Sequence, residues 1–259
     1  MMRLAIYQMQ AKAGDVGANL TSIEGSIRRA AAQGANLLVA PELALPGYGA
    51  GPAMAALAEA PDGASWRRLA AVSRETGVAI LAGFAEKSGD TVYNSSLFVD
   101  GDEPPVVYRK SHLYGPYERG LFAAEKPSAR IIEHAGIRFG MLICYDVEFP
   151  ENVRRLAQAG AQAALVPTAL PASDHADFIA RRMIPVRAFE NQLFVAYVNH
   201  CGADDRFAYA GLSGVAAPDG TLLAAAGNVV EELLIADLDP SAFRQAAEQN
   251  PYLADLRLG

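Results

Sequence analysis

Apolar positions along the chain switch repeatedly between a period of two and a period near four. Leu4-Ala5-Ile6-Tyr7 opens as a short strand. In residues 19–33 the apolar positions Leu20, Ile23, Ile27, Ala30 and Ala31 recur at helical spacing, and Gly34 follows as a stop. The run Asn36-Leu37-Leu38-Val39-Ala40, closed by Pro41, reads as a buried strand. Residues 62–76 read as a helix with Asp62 as its N-cap, and residues 78–84 as the next strand. Residues 91–99 alternate and end at Asp100-Gly101, a hairpin signal, with residues 105–108 as the returning strand. Residues 110–128 read as a polar loop bearing aromatic side chains.

The second half repeats the theme. Residues 137–144 read as a strand, and Pro150 sits where a helix continuing through 151–159 begins. Residues 163–166 form another short strand, stopped by Pro167. A helix over 177–190 and a strand over 192–198 follow. Further strands fall between 210 and 237 around the turn Pro218-Asp219-Gly220, and Asp239-Pro240-Ser241 opens a last helix. No linker-like run divides the chain, so the expectation is one α/β domain over residues 1–259. The strands are too numerous for one small sheet, whereas two packed sheets covered by helices use them all.

Composition narrows the class. A hydrophobic fraction of 51% with 20% charged residues supplies a sizeable core and excludes a mainly disordered chain. The net charge is −7, from 22 basic against 29 acidic residues, which argues against nucleic acid as a partner. The pairs Arg28-Arg29, Arg67-Arg68, Arg154-Arg155 and Arg181-Arg182 fall in helical stretches and read as solvated faces or ion pairs. No apolar run reaches the ~18 residues that span a bilayer, and the N-terminus reads as a strand, not an export signal. With only two cysteines there is no disulfide framework. The expectation is therefore a cytoplasmic protein with no membrane partner.

Cys144 is the sharpest chemical feature. It ends an apolar strand just before a helix, where a thiol can project from the sheet edge and a helix N-terminus favours its thiolate. A buried core cysteine fits the same position. Glu42 follows the strand ending Val39-Ala40-Pro41, and Lys110 follows Val106-Val107-Tyr108-Arg109. In α/β sheets ligands bind outside the carboxyl ends of strands, so all three side chains can meet at one edge. Carboxylate, ammonium and thiol together can remove a proton, stabilise an oxyanion and attack a carbonyl. Individually, Glu42 and Lys110 read more readily as surface charges at strand ends. None of His112, His134, His175 and His200 lies in a metal-ligand spacing, although His112 stands two residues from Lys110.

Four segments carry a resemblance. Pro41-Glu42-Leu43-Ala44-Leu45-Pro46-Gly47-Tyr48, Tyr108-Arg109-Lys110-Ser111-His112-Leu113 and Leu142-Ile143-Cys144-Tyr145-Asp146-Val147-Glu148-Phe149-Pro150-Glu151 resemble the signature blocks of the nitrilase superfamily of carbon–nitrogen hydrolases. Arg187-Ala188-Phe189-Glu190-Asn191-Gln192, continuing to Asn199, resembles a fourth. The resemblance covers nearly the whole chain. It implies a four-layer α-β-β-α sandwich that assembles as dimers or larger homo-oligomers and uses no cofactor or metal. It implies Glu42 as general base, Lys110 as oxyanion-stabilising lysine, Cys144 as nucleophile, and Glu118 as a second glutamate positioning the substrate amide. The Tyr145 backbone N–H is expected to share the oxyanion with Lys110. With two carboxylates near one ammonium, Cys144 is expected to rest as a thiol.

The same resemblance bears on the substrate. Relatives that act on nitriles usually carry Trp-Glu after the cysteine, where Tyr145-Asp146 stand here. Relatives that process acids place arginine at the positions of Val147 or Glu148, where it suits a substrate carboxylate. The pattern looks most like small aliphatic and R-stereoselective amidases acting on a neutral or amine-bearing amide. The expected pocket walls are Tyr48, Tyr145, Glu148, Thr168 and Ala169. A nitrilase, an N-carbamoyl amide hydrolase and an inactive binding homologue stand as the alternatives.

Overall fold

The computed structural model describes residues 1–257, and in it the strands form two six-stranded mixed sheets. In chain order the strands are β1 (Met2–Gln8), β2 (Leu37–Val39), β3 (Ala79–Ser88), β4 (Thr91–Val99), β5 (Val106–Arg109), β6 (Ile131–His134), β7 (Ile137–Met141), β8 (Ala163–Pro167), β9 (Phe194–Val198), β10 (Gly214–Ala216), β11 (Leu222–Ala225) and β12 (Glu232–Leu238). One sheet has the order β12-β1-β2-β3-β4-β5, the other β11-β10-β9-β8-β7-β6. Each is built around three parallel strands, β1-β2-β3 and β7-β8-β9, with antiparallel strands outside them.

Strand alternation decides the layering. Leu4, Ile6, Leu37, Val39, Ala79 and Leu81 share a core with Phe139, Met141 and Leu165 of the second sheet. The intervening Ala5, Tyr7, Leu38 and Ile80 pack instead against Leu20, Ile23, Ile27 and Leu69 of the helices Val16–Ala32 and Ala64–Thr76. On the far side, Val153 and Leu156 of helix Pro150–Gln158 and Ile184 and Ala188 of helix Ile184–Asn191 cover the second sheet. The expected α-β-β-α order is the one observed. Three of the arginine pairs contribute surface ion pairs, Arg28–Glu75, Arg68–Glu24 and Arg181–Asp177. No helix among the described residues is long and apolar enough to cross a membrane.

Local departures from the sequence reading have local causes. Asp62 does not cap its helix. Glu59 reaches in from the preceding segment and accepts from both the backbone and the hydroxyl of Ser65, so the first-turn donor is satisfied from outside. Strand β7 ends at Met141, three residues before Cys144, because the chain turns there into a short 3₁₀ segment. The expected helix over 177–190 is interrupted by a π-helical turn, Ile179–Met183, just ahead of Pro185, which has no N–H to donate. The supposed loop after Lys110 contains the helix Gly115–Leu121, and this helix places Glu118.

Candidate active site

The loops after β2, β5, β7, β8 and β9 meet at one edge of the two packed sheets. Glu42 follows β2 and is fully buried. Its loop lies so close to β3 that a Cβ on Gly83 would stand 2.1 Å from the Leu43 nitrogen, so only glycine fits there. The second sheet clamps the Glu42 backbone. His200, after β9, donates from Nε2 to the Glu42 carbonyl at 2.7 Å, and the Glu42 N–H donates to the Thr168 carbonyl at 3.4 Å. Burial pushes the His200 imidazole down to about 4, so it is neutral.

Lys110, after β5, is likewise fully buried and lies between two carboxylates. Its Nζ donates to Glu42 Oε1 at 2.6 Å and to Glu118 Oε1 at 2.7 Å. Burial works against this ammonium, but Glu42 and Glu118 outweigh it and the net direction is upward. Asn94 of β4 donates a further bond to Glu42 Oε1 at 2.6 Å, while Glu42 Oε2 has no hydrogen-bond partner. Burial pushes the Glu42 carboxyl up to about 7 against the pull of Lys110. Glu118 is saturated: Tyr48 donates to Oε1 at 2.9 Å and the Tyr114 N–H to Oε2 at 2.8 Å.

Cys144 starts its 3₁₀ turn with φ of +44°, a left-handed backbone held by its surroundings. Burial and the charge of Glu42 drive its thiol well above the ordinary range. Lys110 and the Ala169 N–H pull more weakly the other way. Desolvation thus outweighs the helix N-terminus that favours thiolate, and the resting form is the thiol, as the excess of carboxylate over ammonium also requires.

Two cavities open beside this cluster. The first, about 440 Å³, is lined by Cys144, Tyr145, Glu148, Tyr114, Phe178 and Met183 among others. Burial raises the Glu148 carboxyl, opposed by Lys110 and Arg187. Arg155 donates to Asn152, and Arg187 donates to the backbone carbonyls of Val147 and Glu148. The second cavity, about 180 Å³, includes Tyr48 and Ala169 in its wall. Tyr48, Tyr145, Glu148 and Ala169 line these cavities. Thr168 lines neither. It lies fully buried beneath the site, donating from its hydroxyl to the Val166 carbonyl.

Sequence reasoning missed three supporting residues. Asn94 sits in the polar run Asn94-Ser95-Ser96, which lies wholly buried within β4, and that burial is not visible in the sequence. Asp146 is fully buried and accepts from the Ile143 N–H, the Tyr108 and Ser111 hydroxyls and the His112 N–H, which locks the cysteine turn to the lysine segment. His112 belongs to this brace and stacks on Phe149 at 4.0 Å. Asn199 is the third: it accepts from the Leu170 N–H at 2.8 Å and fixes the segment carrying Ala169. Cys201 is buried and free, and it lines neither cavity. No group of three potential metal ligands occurs among the described residues.

Comparison with known proteins defines the class to which this arrangement belongs. The model of the carbon–nitrogen hydrolase family matches residues 3–248, and the chain belongs to that family, within the nitrilase superfamily. Among individual relatives, the "Hydrolase in pqqF 5'region" of Pseudomonas protegens is 44% identical over 99% of this chain and 89% of its own. An (R)-stereoselective amidase of a Pseudomonas species is 36% identical over 99% of this chain and 92% of its own. A solved structure of an amidase mutant from Nesterenkonia sp. AN1, showing covalent addition of the acetamide moiety of fluoroacetamide at the active site cysteine, superposes with a TM-score of 0.86. It is 33% identical, covering 99% of this chain and 94% of that one.

Proposed function

We propose that this carbon–nitrogen hydrolase is an amidase that converts a small carboxamide to carboxylic acid and ammonia through a thioester on Cys144. One observation carries the reading. A buried carboxylate with one oxygen held by Lys110 and Asn94, and the other without a partner, stands beside a neutral buried thiol. A thiol that is not ionised at rest needs a base at the moment of attack, and the unpartnered Glu42 oxygen is available for that proton.

In this reading the Cys144 sulfur bonds to the carbonyl carbon as its proton passes to Glu42. The carbonyl electrons move to oxygen, which Lys110 and the Tyr145 N–H stabilise. When the intermediate collapses, the carbon–nitrogen bond breaks, and the nitrogen takes the proton from Glu42 and leaves as ammonia. Water then attacks the thioester while Glu42 accepts its proton. The carbon–sulfur bond breaks, the thiol is restored and the acid departs. Glu118, held by Tyr48, Tyr114 and Lys110, keeps the lysine in place and orients the amide. The likeness to amidases that cover almost the whole chain supports amides over nitriles.

The test is ammonia release from acetamide, propionamide and matched nitriles, with fluoroacetamide labelling followed by peptide mass spectrometry. Cys144→Ala should abolish both turnover and labelling, and Cys201→Ala should retain both. Full turnover by Cys144→Ala, a label on Cys201, or hydrolysis of nitriles alone would refute the assignment.

A further inference from the structure

The second cavity has no part in the chemistry above, yet it adjoins the reacting groups. Tyr48 in its wall donates to Glu118, and Ala169 in its wall presents its N–H to Cys144. It shares Tyr114 and Pro171 with the cavity that exposes Cys144, so the two chambers meet at a common rim. Five aromatic rings dominate its wall, with Tyr114 at the rim. Tyr48 lies 5.4 Å from Tyr117, 5.2 Å from Phe207 and 6.3 Å from Tyr209, between ring centroids.

The hydroxyls of Tyr48, Tyr117 and Tyr209 are already engaged, and the remaining phenol, Tyr114, is half-exposed at the rim. The Tyr48 hydroxyl donates to Glu118. The Tyr117 hydroxyl donates to the Tyr48 carbonyl at 2.6 Å and accepts from the Gly51 N–H at 3.0 Å, and the Tyr209 hydroxyl donates to Asp204. A polar or charged group passing beyond the Tyr114 rim would lose its water and find no partner. The chamber is also built to hold its shape. The segment with Asp204 and Phe207 lies so tightly on residues 48–53 that a Cβ on Gly49 would stand 2.2 Å from the Asp204 carboxylate. A rigid apolar cavity of about 150 Å³ is large enough to take benzene. This one measures about 180 Å³.

We infer that the aromatic chamber is a subsite for an uncharged, apolar substituent of the amide, of roughly phenyl or isobutyl size. The inference rests on the amidase reading and narrows its substrate class. Amides carrying such a group are preferred over acetamide, and neutral polar or amine-bearing groups fall to the first cavity, which contains Glu148. The substituent can reach the chamber from either side of the carbonyl, from the acyl carbon or from the amide nitrogen. In the second case the product is an amine in place of ammonia.

The experiment compares kcat/KM for acetamide, 3-phenylpropanamide and N-benzylacetamide, with acid release as the common readout. One aromatic substrate should exceed acetamide by about 30-fold, the gain expected from moving a phenyl-sized group out of water. An advantage for the first aromatic amide assigns the acyl side, and an advantage for the second assigns the nitrogen side. Phe207, whose side chain makes no hydrogen bond, is the residue to change. Phe207→Trp fills the chamber and should collapse the aromatic-to-acetamide ratio. Phe207→Ala widens it and should move the preference to a bulkier substituent, and circular dichroism verifies the fold of both variants. Equal rates on all three amides overturn the inference and leave the amidase reading standing. So does an aromatic preference that both Phe207 variants preserve. No hydrolysis of any amide refutes both readings together.

Discussion

Replacing Lys110 by methionine tests the electrostatic core of the site. The ammonium lies 2.6 Å from Glu42 and 2.7 Å from Glu118, with all three side chains essentially removed from solvent. At an effective dielectric of about 20, each contact has a gross attraction of roughly 6 kcal/mol. Most of that offsets the desolvation of the lysine, which methionine does not incur, so the net loss is smaller than the sum. Breaking a buried pair by removing one partner typically costs about 3–5 kcal/mol. For a chain of this size that is a fall in Tm of roughly 6–20 °C.

The pH dependence makes the test specific. With Lys110 present, the Glu42 carboxyl titrates at about 7 and is ionised above it. Without Lys110, burial and the neighbouring Glu118 are opposed only by the Asn94 hydrogen bond, and the folded variant retains a proton that the native protein has released. In the unfolded chain the same carboxyls are ionised at these pH values. The variant's folded state therefore binds about one more proton than either its own unfolded state or the native fold, and its stability must fall as pH rises. The deficit should widen by about 1.4 kcal/mol per pH unit between pH 7 and 9. Urea unfolding at pH 7, 8 and 9 measures this slope. The double substitution Lys110→Met with Glu118→Gln should recover part of the loss by removing one unpaired carboxylate. A deficit independent of pH, or no deficit at all, would refute the reasoning.

Other consequences are simpler to measure. The pH profile of kcat/KM should show an acid limb with an apparent value near 7, because only ionised Glu42 can take the thiol proton; a limb at pH 4–5 would contradict this. Amides bearing a free carboxylate should be poorer substrates than neutral analogues, since a like charge ~6 Å from Glu148 costs roughly 3 kcal/mol at a dielectric of about 20. Glu148→Gln should narrow the gap, and faster hydrolysis of the acidic analogue by the unmodified protein would reverse the prediction. Treatment with EDTA should leave the rate unchanged, whereas a loss restored by zinc would require a different mechanism.

Much of this protein is written locally. The apolar runs at residues 4–7 and 78–84 and the alternation at 91–99 specify strands, the spacing of Leu20, Ile23 and Ile27 specifies a helix, and Pro41 and Pro167 mark where strands give way to functional loops. Placement of Glu42, Lys110 and Cys144 after strand ends was legible for the same reason: a side chain's position relative to a strand terminus is a local property. Glu118 was legible only through resemblance. Its helix, Gly115–Leu121, is seven residues long and too short to show a period.

The tertiary structure decided how those groups behave. Asn94 and Lys110 meet Glu42 across 52 and 68 residues of chain, and His200 meets its carbonyl across 158. Nothing in the local pattern of any of these segments encodes the encounter. The protonation of Cys144 was decided in the same way. Two carboxylates beside one ammonium already pointed to a thiol, but the largest cause is tertiary: the packed sheets exclude water, and the loss of hydration outweighs the pull of Lys110 and the Ala169 N–H. Sequence fixes which groups a strand end can present. Their charge states depend on how much water remains around them and on which charges stand within a few ångströms, and both arise only when the two sheets close against each other.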